Sequence, residues 1–171
     1  MTERKAGIPA EIPANAVLLI LGSLPGEASL AARRYYAHPR NLFWRLMGCT
    51  VGQDLAALDY ADRLAALTAA RIGLWDVVAS AKRRGSLDAA MRGIEANPLG
   101  KLVATLPGLR AVAFNGATAA RIGRRELAGM PSIRLIDLPS SSPAHAAMPF
   151  AAKASRWAVL ADVLAEVDRC A

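Results

Sequence analysis

A chain of 171 residues with 54% hydrophobic content is long enough for one domain with its own core and too apolar for a disordered segment. Its 21 Lys and Arg against 14 Asp and Glu leave a formal charge of +7, which suits a polyanionic partner. Two cysteines (Cys49, Cys170) and two histidines (His38, His145) stand at no metal-ligand spacing and cannot furnish the thiolates of an iron–sulfur cluster, so neither metal nor cofactor is expected.

Residues 1–15 carry charges and two prolines without an apolar stretch of signal-peptide length, and are expected as an extended N-terminal segment. No run approaches the ~20 apolar residues of a membrane span. The expectation is a cytoplasmic monomer. Ala16–Leu21 is apolar on both faces and stops at Gly22-Ser23-Leu24-Pro25-Gly26, the pattern of a strand buried within a parallel sheet. Asn41–Cys49 reads as a helix, and Leu55–Arg71 as an amphipathic one.

Ile72–Val78 is a second strand with Asp76 near its end, followed by a loop and short helix over Ala79–Ile94. Pro98–Leu106 reads as a helix capped by Asn97. Ala111–Phe114 is a third strand ending at Asn115-Gly116, and Ala117–Leu127 a basic helix. Ile133–Leu138 is a fourth strand, running into Pro139-Ser140-Ser141-Ser142-Pro143-Ala144-His145. Phe150 to Cys170 keeps helical spacing through Phe150, Ala154, Trp157, Leu160, Leu164 and Val167. Strands alternating with helices predict one α/β domain over residues 1–171, a three-layer α/β/α sandwich on a mostly parallel four-stranded sheet.

In such a sheet the loops after the strands line one edge, where ligands bind. The Gly22–Gly26 loop lacks the Gly-Lys-Ser/Thr ending of a P-loop and the GxGxxG of a dinucleotide site. Four of the nine aromatic residues fall within Tyr35–Trp44, together with His38, Arg40 and Asn41. Aromatic faces beside polar edges suit a pocket that stacks a flat ring, although a core plug is the simpler reading of Trp44.

Gly22-Ser23-Leu24-Pro25-Gly26, His38-Pro39-Arg40-Asn41-Leu42-Phe43-Trp44 and Pro139-Ser140-Ser141-Ser142 resemble, in order, motifs of the uracil-DNA glycosylase superfamily. Relatives with an HPxNxFW motif place a water-positioning asparagine third in a GINPG loop. Leu24 stands there instead, and with Ser-Pro-Ala-His this is similar to the hypoxanthine-DNA glycosylase branch. The resemblance implies a monofunctional glycosylase that removes a deaminated base, hypoxanthine first, from DNA. Uracil or xanthine as substrate, and a catalytically idle DNA-binding module, are the alternatives. A small-molecule hydrolase built on Ser23 or Ser142 with His145 is more remote, because no GxSxG elbow is present.

The resemblance makes Asn41 and His145 the catalytic candidates, with Asn41 alternatively a helix cap and His145 a surface histidine. It makes Phe43 the stacking platform, against a core role, and Gly22, Ser23, Leu24, Pro25, His38 and Asn115 further base-side residues. Asp76 lies where related thymine glycosylases carry a base-reading asparagine. As a pure acceptor it would bind the N1–H of hypoxanthine or N3–H of uracil and repel N1 of adenine. Its other reading is a helix cap or an ion pair with Lys82 or Arg83. Arg40, Pro139, Ser140, Ser141, Ser142, Pro143 and Ala144 are expected along the DNA backbone, with Arg83, Arg84, Arg121, Arg124 and Arg125 as further phosphate contacts. Pro143 and Ala144 stand where relatives carry a bulky wedge in this loop, so either a different side chain inserts or weakly paired or single-stranded DNA is favoured.

Overall fold

The structure, a computed structural model, describes residues 3–130 and 132–169. Strands β2 (Leu18–Gly22), β3 (Ile72–Asp76), β6 (Ala111–Asn115) and β7 (Arg134–Leu138) form a four-stranded sheet in the order β3-β2-β6-β7. Every pairing in it is parallel. All of β2 is buried, and its side chains divide between two cores as a period of two requires. Leu18 and Ile20 pack with helices α2 (Phe43–Val51), α3 (Tyr60–Ala69) and α7 (Val159–Arg169), and Leu19 and Leu21 pack with α4 (Leu99–Ala104) and α5 (Ala117–Glu126). The two faces of the sheet are thus covered by helices, in the layering expected.

A second sheet departs from expectation. β4 (Val78–Lys82) and β5 (Arg92–Ala96) form an antiparallel hairpin across Ala79–Ile94, where a loop and short helix are predicted. β1 (Arg4–Ala6) pairs with the far side of β4, so part of the N-terminal segment is a strand. The chain crosses between sheets at Val77, whose amide donates to Gly22 O (2.8 Å) while Val78 N donates to Ser23 O (3.0 Å). The hairpin is thereby joined to the loop after β2.

Element ends also shift for local reasons. The Leu55–Arg71 helix is interrupted because the side chain of Asp59 accepts from Asp62 N (2.9 Å) and starts α3 afresh after a short turn at Leu55–Ala57. Asn97 does not cap α4 with its side chain; its amide donates to Asp76 O (2.8 Å) and ties the hairpin to β3. The last helix is divided at Ala158 into α6 (Phe150–Trp157) and α7, and Cys170 lies outside the described residues. The apolar stripe persists across the division, with Trp157 and Leu160 in the core.

Candidate active site

A cleft of about 800 Å³ opens where the parallel strands end, its wall including Gly22, Asp76, Asn115 and Leu138, the last residues of β2, β3, β6 and β7. Parallel register brings these residues abreast: Gly22 pairs with Asp76, and Asn115 with Leu138. Ser23, Leu24, Pro25, His38, Asn41, Ser140, Ser141, Ser142, Pro143, Ala144 and His145 also line it. Pro139, half-buried at the start of the serine loop, lines it too, whereas Arg40 is exposed outside this lining.

The aromatic floor differs from expectation. Phe43 is fully buried, edge-on to Trp44 and Trp157, and does not reach the cleft. Tyr36 covers it, with ring centroids 3.7 Å apart and planes 14° from parallel, and lines the cleft itself. Tyr36 holds a left-handed φ of 54°, a strained setting for a non-glycine residue that turns the following chain into the His38–Asn41 segment. Of the two stacked rings, Tyr36 and not Phe43 is therefore the one placed for the platform role. The tyrosine escapes a sequence reading because both residues belong to one aromatic cluster.

Asn41 stands both at a helix start and in the cleft wall. Its Oδ1 accepts from Phe43 N (3.0 Å) at the start of α2, and the residue lines the cleft. Among the described residues the side-chain NH2 donates to no protein group, so the bond to Phe43 N fixes the amide with its donor end uncommitted. His38 shapes the same turn, its Nδ1 accepting from Arg40 N (3.1 Å).

Asp76 is 3% exposed, and among the described residues neither its Oδ2 nor the Tyr36 hydroxyl has a hydrogen-bond partner. A Cβ on Gly22 would lie 2.7 Å from Asp76 Oδ1 and 3.3 Å from the Tyr36 hydroxyl, so only glycine lets the strand end pass this pair. Burial, and then Asp88, push the Asp76 carboxyl well above the usual carboxylate range, against the pull of Arg83. A protonated carboxyl donates as well as accepts. Rejection of adenine by charge, expected from a pure acceptor, does not operate while Asp76 holds its proton.

Buried polar side chains that the sequence reading leaves on the surface hold the two loops flanking the cleft. Arg83, expected on phosphate, is 1% exposed; it donates to Leu24 O (3.0 Å) and Pro25 O and faces Asp88 at 4.0 Å. Asp88 in turn accepts from Ser23 Oγ (2.7 Å). Leu24 itself packs into the second core. On the other loop, Lys153 is 1% exposed and donates to Ser140 O and His145 O, 2.7 Å each, while Trp157 Nε1 donates to Pro139 O (2.9 Å). Burial lowers the Lys153 pKa.

Asn115 completes the brace, donating to Ser141 Oγ and accepting from Ser141 N, both at 2.9 Å. Ser141 is fully buried, which removes it from the expected phosphate contacts and gives Asn115 a structural task. Gly116 follows with φ 102° and approaches Ser140, whose Cβ would be 3.2 Å from any added Cβ. His145 is exposed at the mouth, and Arg121, Arg124 and Arg156 stand along the same wall, with Arg124 paired to Asp137 (2.9 Å). Among the described residues no three His, Cys, Asp or Glu side chains gather as a metal site, and no helix is long and apolar enough to cross a membrane.

The family profile described as the uracil DNA glycosylase superfamily matches residues 9–163. A protein from Methanosarcina barkeri named hypoxanthine DNA glycosylase is 45% identical over 113 residues, 66% of this chain and 72% of its own length. One of the same name from Methanosarcina acetivorans is 41% identical over 143 residues, 82% of this chain and 88% of its own. A solution NMR structure of a candidate uracil DNA glycosylase from Methanosarcina acetivorans superposes with a TM-score of 0.84 at 37% identity, covering 94% of this chain and 99% of that one.

Proposed function

The chain belongs to the uracil DNA glycosylase superfamily, and from that premise we propose that it hydrolyses the N-glycosidic bond of hypoxanthine in DNA. The observation that carries the reading is Leu24 third in the first loop with Asn41 in the cleft wall, in a chain whose curated relatives bear the name hypoxanthine DNA glycosylase.

N-glycosidic cleavage passes through an oxocarbenium-like sugar and needs a held base, a placed water and relief of charge on the departing ring. The extruded base stacks on Tyr36, a contact worth ~1–3 kcal/mol and tolerant of base identity. Asn41 turns its free NH2 to a carbonyl or ring nitrogen of the leaving base, and the remaining lone pair of its oxygen is available to water. Asp76 meets the polar edge of the base from the floor. His145 and Arg40 take the phosphates beside the lesion, with backbone amides of the serine loop rather than the Ser141 hydroxyl. The protein acts as a monomer on this account, and its charge of +7 favours DNA of any sequence.

The test is a panel of oligonucleotides, single- and double-stranded, each with one hypoxanthine, uracil, xanthine, adenine or mismatched thymine, treated with alkali after incubation. Alkali-labile strands are expected at hypoxanthine first. Salt-sensitive binding without an abasic product from any base would replace the enzyme by a binding module. The same panel reads Asp76. With its pKa raised in the fold, the carboxyl is neutral at low pH and pairs with either purine. As pH rises through that pKa it becomes a pure acceptor, keeps the N1–H of hypoxanthine and repels adenine N1. The hypoxanthine-to-adenine ratio should climb with pH in the wild type and stay flat in Asp76→Asn. The sign for stability is opposite: a raised carboxyl pKa costs the folded state progressively as pH climbs from about 4, and the Asn variant should lose that slope.

A further inference from the structure

Among the described residues, the large apolar side chains left exposed are Leu87, at 60%, and Ile94, at 37%. Leu87 is also on the wall of the cleft, at the tip of the β4–β5 hairpin, beside Ser86 and Asp88. Its two neighbours are anchored to the first loop and to the helix Glu27–Ala32 that follows it: Ser86 Oγ accepts from Glu27 N (2.9 Å), and Asp88 accepts from Ser23 Oγ (2.7 Å). Arg83 clamps the same loop from within. Leu87 is therefore held out to solvent by a braced turn and cannot fold back onto a core of its own. A singly exposed leucine needs no explanation elsewhere on a surface; one fixed at the rim of a base-sized cleft is differently placed.

Extruding a base from a duplex leaves a gap in the stack, and proteins that hold such distorted DNA insert an apolar side chain between base steps. After its serines the loop offers only Pro143 and Ala144, and Met148 further on is half-buried against the cleft, while exposed Lys82 and Arg84 stand beside the hairpin tip, where phosphates of an entering duplex would meet them. We infer that Leu87 is the wedge of this enzyme, entering the duplex from the hairpin wall to fill the space vacated by the flipped nucleotide.

The inference rests on the glycosylase reading above, and one experiment separates the two. Single-turnover excision of hypoxanthine is measured for wild type, Leu87→Ala and Leu87→Phe on a duplex and on the same lesion strand alone. Because a single strand leaves no hole to fill, Leu87→Ala should lose about tenfold on the duplex and nothing on the single strand, with Leu87→Phe restoring most of the duplex rate. A 2-aminopurine placed next to the lesion should brighten with wild type and less with Leu87→Ala. Equal rates on the duplex, or an equal loss on both substrates, would overturn the wedge. Absence of excision by the wild type on either substrate would instead overturn the glycosylase reading.

Discussion

Asn41→Ala should lower single-turnover excision by ~10²–10³-fold, the usual cost of one donor aimed at developing charge. It should also cost about 1 kcal/mol of stability, because Phe43 N loses the side-chain oxygen that caps α2. The two effects separate in Asn41→Asp. A carboxylate keeps the acceptor for Phe43 N, so thermal stability should stay near wild type. It offers no NH2 to the leaving base, so excision should fall as far as in the alanine variant. If Asn41→Asp retained the wild-type rate, donation from this amide would play no part in the chemistry.

Arg83→Met should be the most damaging single change outside the cleft floor. The guanidinium is desolvated: Nη1 and Nη2 donate to Leu24 O and Pro25 O, the Asp88 carboxylate stands 4.0 Å away, and Nε is left without a partner among the described residues. Its removal leaves two buried carbonyls without donors, at ~1–3 kcal/mol each, a loss of ~2–5 kcal/mol. For a domain of this length that is a fall in Tm on the order of 10 °C. Arg83→Lys should recover part of it only, since a single ammonium lacks the planar fork that reaches both carbonyls. Arg84→Met, one residue on and exposed, should change stability by less than ~0.5 kcal/mol. Differential scanning of the three variants decides between a clamp and a surface charge.

The centre of the parallel sheet was legible because β2 and β6 are short apolar runs ended by Gly22 and by Asn115-Gly116, a pattern that burial on both faces imposes. The small sheet was not. β5 reads Arg-Gly-Ile-Glu-Ala and is exposed along most of its length, so no alternation marks it, and β1 has three residues. The polar lining of the cleft followed from strand ends and motif order. What escaped were side chains whose placement contradicts their chemistry: Arg83 and Lys153, charged yet buried, each spent on loop carbonyls. Tyr36 and Phe43 illustrate the finer limit. Composition gives both rings to one cluster, and only the left-handed turn at Tyr36 decides which of them faces the cleft.

The alternation of β2 between two cores has a consequence for how the site fails. Tyr35, Phe43 and Trp157 belong to the core on one side of the sheet, and Leu24, Val77 and Val78 to the core on the other. The cleft is therefore a seam between two cores that share the sheet, and neither one contains all of it. Loosening the first would release the aromatic floor and the asparagine while the hairpin wall stayed ordered; loosening the second would do the reverse. Amide exchange should record two cooperative openings at the seam, so that heat, denaturant or a distant core substitution can silence catalysis by parting its halves well before the chain unfolds.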